Sequence, residues 1–266
     1  MAHILTVTCH YKKNDNGEWI LEREFDDASV ALFKIQEDGS IGNLEDLHII
    51  KGKGHWWQGG GQSTSHLHCV QEKENYVYVA NRGTDEIEIY KIEENKLQFL
   101  SKVQCPFGYA PRQIAIQGEY IFVLYENYPV LSLFKRQGDT LLELDRISTM
   151  YPKYDLEFPT PVFNHKHAKE NEINTCGMAD RRRAMPSDVH VEDKYVYVSN
   201  RWRAKQGSIS VFTVEEDRLV KVDHVPLEGK DPRGFTISKD GKYAFVALCD
   251  ANIVVAYAIN KKNRKI

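Results

Sequence analysis

The chain has 266 residues, 42% hydrophobic and 27% charged, with a formal net charge of −3. That is the balance of a soluble globular protein with room for one large core, and a charge so near zero gives no global pull towards nucleic acid or an anionic membrane surface. No apolar run nears the roughly 20 residues of a membrane-spanning helix; Ile253–Ile259 is among the longest, and Met1–Lys13 lacks the basic start and apolar stretch of a secretory signal. The five cysteines (Cys9, Cys69, Cys105, Cys176, Cys249) are odd in number, far apart and without a C-x-x-C pair, the usage of reduced thiols in a cytosolic protein.

In chain order, His3–Tyr11 alternates as a strand does, and Lys12–Asp27 is a polar excursion with Asn-Asp-Asn-Gly, read as an extended hairpin or loop. Ser29–Ile35 is the next strand, turned by Glu37-Asp38-Gly39-Ser40. Lys51–Ser65 is a glycine-rich loop carrying Trp56 and Trp57. Then comes a compact unit of three short strands: His66–Gln71, Asn75–Asn81 and the strictly alternating Glu86–Tyr90. Glu-Lys-Glu and Arg-Gly-Thr-Asp, both turn compositions, separate them.

This unit recurs at Ala110–Lys135, Met185–Val214 and Asp231–Ile259, and YVYVANR at Tyr76 differs from YVYVSNR at Tyr195 in one position. Fourth apolar stretches follow at Leu97–Val103, Leu141–Ile147 and Leu219–Val225. Second strands begin at Tyr76, Tyr120, Tyr195 and Tyr243, at spacings of 44, 75 and 48, the long one holding an insertion at Tyr151–Ala184. Four strands per roughly 40–50 residues is the period of a β-propeller blade. The sequence predicts an all-β propeller of four-stranded antiparallel blades, folded as a single domain over residues 1–266.

In a blade the first strand lines the channel and the second runs antiparallel beside it, so the start of one and the end of the other share a face of the disc. Fourteen residues separate His68 from Arg82, Arg112 from Glu126 and Ser187 from Arg201, and 16 separate Arg233 from Cys249, across the longer Asp240-Gly241 hairpin. His68, Arg112, Ser187 and Arg233 are therefore equivalent positions, and Arg82, Glu126, Arg201 and Cys249 a second equivalent set. Both sets are expected to ring one mouth of the channel, a polar constellation in a concave place.

At these residues the sequence resembles the lactonase family of seven-bladed β-propellers, which includes bacterial 6-phosphogluconolactonase and the fungal carboxymuconate lactonizing enzyme. The resemblance rests on HLHCV…ANRGTDEIEIY, APRQ…YEN, YVSNRWRAKQGSISVF and DPRGFTISKDGKYAFVA, and runs over most of Ile4–Ile259. It implies a catalytic set of His68, Arg112, Glu126 and Arg201, with His66, Arg82, Asn200 and Arg233 beside it as substrate-binding residues. Gln113 stands where the family usually has His, Arg82 where it has an apolar residue, and Tyr151–Ala184 is longer than usual. The first strands align with the family's third blade, which predicts about five blades of an incomplete seven-bladed disc. Edge strands near Ile4–Cys9 and Ile253–Ile259 would then be open to self-association.

The implied chemistry is hydrolysis of an acidic lactone. Arg112 and Arg201 would bind the substrate's carboxylate or phosphate and the developing oxyanion, while His68 or Glu126 takes the proton of the attacking water. Alternatives are a muconate-type lactonizing cycloisomerase and a non-catalytic truncated propeller. A structural reading, in which Arg112 and Arg201 pair with Glu126 in an inter-blade salt bridge, is the lesser alternative and is compatible with function. His66 and His68 share a strand face, but no third ligand has metal spacing, so neither metal nor cofactor is expected. Arg181-Arg182-Arg183, His165-Lys166-His167 and Trp56-Trp57 read as loop or packing residues. Neither nucleic acid nor membrane is an expected partner.

Overall fold

The computed structural model describes residues 3–9, 11–13, 15–16, 19–21, 27–54, 62, 64–150, 184–202, 206–260 and 266. Strand dominates the described residues. The helical element among the described residues is one three-residue 3-10 turn at Cys249–Ala251. No helix there is long and apolar enough to cross a membrane. The insertion at 151–183, with its Arg and His runs, and Trp56 and Trp57 lie outside the described residues.

Two compact units divide the chain: Met1–Ile114 with Gly138–Thr140, and Ala115–Gln137 with Leu141–Ile266. In the first unit, β1 (His3–Cys9), β4 (Asp27–Ile35) and β5 (Ile41–Lys51) form a sheet in the order β1-β4-β5. The expected hairpin between β1 and β4 is there as β2 (Tyr11–Lys13) paired with β3 (Trp19–Leu21). Next come β6 (Leu67–Lys73), β7 (Tyr76–Asn81), β8 (Glu86–Glu93) and β9 (Lys96–Gln104), four antiparallel strands in sequential order. The turns explain that order: Glu74-Asn75 and Glu94-Asn95 all have positive φ, the mirror-image two-residue turn whose twist suits antiparallel strands. Ala28, Val30 and Leu32 of the first sheet pack on Leu67, Val77, Val79, Tyr90 and Leu97 of the second. Val30, Leu32, Val77 and Val79 are wholly buried, each worth about 1.5–3 kcal/mol against exposure.

The chain passes to the second unit through β10 (Pro111–Gln117), first strand of a sheet completed by β11 (Tyr120–Tyr125), β12 (Val130–Gln137) and β13 (Thr140–Ser148). Sheets β14 (Met185–Glu192), β15 (Tyr195–Arg201), β16 (Ser208–Glu215), β17 (Arg218–Pro226) and β18 (Pro232–Ile237), β19 (Tyr243–Leu248), β20 (Ile253–Ala258) follow, again in sequential order. Phe122, Leu124, Leu131 and Leu133 pack on Val189, Val196, Val198, Phe212 and Leu219. Tyr197, Ile209 and Val211 pack on Phe235, Ile237, Ala244 and Val246.

A polar latch repeats at the outer strands of both units. Asp46 on β5 accepts from the Leu97 N–H at the start of β9 (2.7 Å), and Asp145 on β13 accepts from the Leu219 N–H at the start of β17 (2.8 Å). The latch gives β5 the place of an outermost strand. Its Ile41, Leu44, Leu47 and Ile49 are exposed, which is why the strand lacks the alternation that marks the others.

Candidate active site

The spacing argument has a structural cause. The β6–β7 register shifts between Leu67 and Cys69, the β14–β15 register between Pro186 and Asp188, and the β18–β19 register between Pro232 and Gly234. His68, Ser187 and Arg233 are thus the extra residues of three β-bulges at one place in three blades. A bulge leaves its extra residue outside the ladder and re-aims the side chain. Arg82 follows the end of β7, Glu126 follows the end of β11, Arg201 ends β15 and Cys249 follows β19.

The first unit supplies basic groups. His66 and His68 are half-buried, with rings nearly parallel (13°) and centroids 6.4 Å apart. Arg82 and Arg112 are buried. Three segments carry these residues, and buried polar bonds fix each of them. Asn81 accepts from the N–H groups of His66 (3.1 Å) and Gly83 (3.2 Å) through Oδ1, and its Nδ2 donates to Ser65 Oγ (2.9 Å) and Glu88 Oε1 (3.1 Å). Gly83 must be glycine: a Cβ would lie 2.1 Å from the Thr64 carbonyl and 2.5 Å from the His66 nitrogen. Burial pushes the Glu88 carboxyl up, against hydrogen bonds from Tyr90 and Asn81 that favour the ionised form. The Tyr90 hydroxyl, itself pushed up by burial and then by the neighbouring carboxylate, donates to Glu88 at 2.6 Å.

The second unit supplies an ion pair. Arg201 Nη2 donates to Glu126 Oε1 at 3.1 Å, with both side chains buried, and Arg201 Nε donates to the Met185 carbonyl at 3.3 Å. Asp231 Oδ1 lies 4.0 Å from the same Nε and is itself buried. The guanidinium is therefore held between two carboxylates, a cluster with one negative charge in excess when both are ionised. Removing Arg201 would leave two buried carboxylates uncompensated, and breaking a buried pair in this way typically costs about 3–5 kcal/mol. Asn200, expected to bind substrate, is wholly buried. Its Oδ1 accepts from Thr149 Oγ1 (2.6 Å), and its Nδ2 reaches the Thr149 carbonyl, Ser208 Oγ and Ser210 Oγ. Those bonds suit it to anchoring the Thr149 segment. Arg233 is exposed, and its carbonyl accepts from Ser187 Oγ at 2.5 Å.

Three residues escaped the sequence reading: Gln62, Asp85 and Asp231. Asp85 ends the N-x-G-x-D run of ANRGTD, and Asp231 precedes Pro232-Arg233 as Ala110 precedes Pro111-Arg112. Both signals are visible once the blades are superimposed by register. Among the described residues no group of three or more His, Cys, Asp or Glu lies close enough to hold a metal ion.

Sheets of sequential antiparallel strands, with Arg, His and Glu at the bulges and ends of their first two strands, define a β-propeller with an acid/base and anion-binding inventory. The chain belongs to the lactonase family of seven-bladed β-propellers, whose model matches residues 6–266. It is 22% identical over 270 residues to a 6-phosphogluconolactonase of Formosa agariphila, covering 97% of this chain and 68% of the relative. A 6-phosphogluconolactonase of Bacillus subtilis is 25% identical over 237 residues, or 85% of this chain and 59% of the relative. Among solved structures, a periplasmic gluconolactonase of Pseudomonas aeruginosa superimposes with a TM-score of 0.70 at 19% identity, covering 90% of this chain and 61% of that one. A structure described as a putative 6-phosphogluconolactonase of Bacteroides fragilis gives 0.68 at 21% identity, covering 90% and 65%. The chain thus spans about two thirds or less of the length of most of these proteins.

Proposed function

We propose that this protein hydrolyses the intramolecular ester of an acidic sugar lactone of the 6-phosphogluconolactone type, without a cofactor. The observation that carries the reading is the buried Glu126–Arg201 ion pair at the strand ends of a lactonase-family chain. A carboxylate oriented by a guanidinium, which is itself tied to a backbone carbonyl, is a pre-set proton-transfer or orienting group. In this reading Arg201 acts on Glu126 first and on substrate second, because its Nη2 and Nε already face protein acceptors. We assign anion recognition to Arg112, whose guanidinium suits a carboxylate or phosphate.

The reaction balances without an external reagent. Water oxygen bonds to the lactone carbonyl carbon as its proton passes to His68 or Glu126. The tetrahedral oxyanion collapses, the ring C–O bond breaks, and the leaving alkoxide takes back the proton held by that His68 or Glu126, giving the hydroxy acid and restoring the base. We also place the protein in the reducing cytosol, on five cysteines that are odd in number, far apart in sequence and without a C-x-x-C pair.

The test is a lactone panel in a pH-stat, with and without chelator: 6-phosphogluconolactone, gluconolactone and muconolactone. The expected result is chelator-insensitive opening, fastest for a lactone bearing a second anionic group. Absence of hydrolysis across the panel, or its loss on chelation, would overturn the proposal.

A further inference from the structure

The basic residues of the first unit sit on three separate segments; one buried carboxylate stands on the Arg82 segment and accepts hydrogen bonds from the approaches to the other two. Asp85 is wholly buried. Its Oδ1 accepts from Gln62 Nε2 (2.7 Å), four residues before His66, and the same Nε2 also donates to the Arg82 carbonyl (2.9 Å). The Ala110 N–H donates to Oδ1 and the Gly108 N–H to Oδ2, both at 2.7 Å, just ahead of Arg112. Asp85 itself follows Arg82 by three residues, in a turn with φ of +60°. The segments before His66–His68, after Arg82 and before Arg112 therefore meet at one side chain.

The fold does not require a carboxylate there. A backbone bond marks the same place in each of the three four-stranded blades: Cys105 N–H to the Asp85 carbonyl (2.8 Å), Thr149 N–H to that of Pro129 (2.7 Å), and Leu227 N–H to that of Gly207 (2.8 Å). Proline and glycine serve in the other two blades, neither with a side-chain acceptor. The carboxylate occurs in the blade that carries His68 and Arg82. A polar side chain kept in a wholly buried place, where two other blades manage without one, needs a local reason. The one at hand is its three donors, two of them main-chain N–H groups of the loop into Arg112.

We infer that Asp85 is the positioning residue that sets His68, Arg82 and Arg112 in mutual register for anion binding. It touches no reacting atom in this account; it acts through the segments it joins. Only the activity arm of the test rests on the lactonase reading.

In Asp85→Ala, amide hydrogen exchange should accelerate at both 62–66 and 108–112, with the loop 227–231 unchanged. The preference in kcat/KM for 6-phosphogluconolactone over gluconolactone should fall by about tenfold or more, as expected for losing a charge-assisted contact. A merely structural role would lower both lactones alike through the folded fraction and leave that ratio unmoved. Gln62→Leu removes only one arm. It should loosen 62–66 and leave 108–112 as in the parent, and it carries the test if Asp85→Ala does not fold. Exchange unchanged in both segments, or an unchanged preference in a protein that opens both lactones, would overturn the inference. If the parent opens neither lactone, the functional reading fails by itself, and the exchange data alone decide on Asp85.

Discussion

Two loops lead into equivalent Pro-Arg strands, and they are held by different means. Ahead of Arg112, Ala110 has φ of +59° and its N–H rests on Asp85. Ahead of Arg233, Asp231 has φ of +53°, and the loop is pinned by the Gly207 N–H on the Gly229 carbonyl (2.9 Å). There the backbones approach so closely that a Cβ on Gly207 would lie 2.3 Å from Pro232 Cδ. In the first unit the carboxylate stands outside the loop, in the turn between β7 and β8, and grips it. In the second the loop itself carries the carboxylate, Asp231, and directs it towards Arg201. One backbone turn is thus used twice, with its acid on opposite sides. Arg112 ends up buried and Arg233 exposed.

If the bulge of β6 delivers an acid/base group, His68→Ala should lower turnover of acidic and neutral lactones alike by about 10²–10⁴-fold, measured at saturating substrate. Unchanged turnover would reduce the bulge to a structural feature. Arg112→Ala should act differently, costing the acidic lactone about 1.5–3 kcal/mol more than the neutral one in kcat/KM. Arg233→Ala, on the exposed counterpart, should cost less, and a larger effect at Arg233 would reverse the comparison. Gly207→Ala tests the close-packed loop. The proline ring cannot swing aside as a flexible chain end would, so urea unfolding should show a loss of about 1–3 kcal/mol.

The gentlest probe compares blade interiors. Glu88 faces Val79 on β7, and Ser210 faces Val198 at the same register on β15. Burial raises the Glu88 carboxyl from 4.5, so the native state holds its proton more tightly than the unfolded chain does. Its contribution to stability is therefore present at low pH and lost as pH rises through the raised value. Glu88→Gln should be more stable than the parent at pH 7, and the gap should close as pH falls towards 4.5. A gap independent of pH would show that Glu88 stays ionised in the fold.

The strand plan was legible because short turns and period-2 alternation are local properties. All four second strands start at the tyrosines that the repeat predicted. Strand β5 was missed because its apolar residues face outwards and two register shifts against β4 break the pattern. The spacing, 14 at His68 and Ser187 and 16 at Arg233, singled out the bulge residues without revealing that bulges were the cause. Gln62, Asp85 and Asp231 escaped because their partners lie 20 or more residues away, and such contacts leave no periodic trace. The hydrogen bond from Thr149 to Asn200 was equally invisible, because it joins residues 51 apart.

The central claim is that Glu126 and Arg201 work as a unit, and a double-variant cycle on turnover tests it most directly. Glu126→Gln and Arg201→Met should each lower kcat for 6-phosphogluconolactone, and the double variant should lose no more than the worse single one, because groups acting together are strongly non-additive. Losses that simply add, with the double variant falling by the product of the two single factors, would mean the residues act independently and would contradict the account.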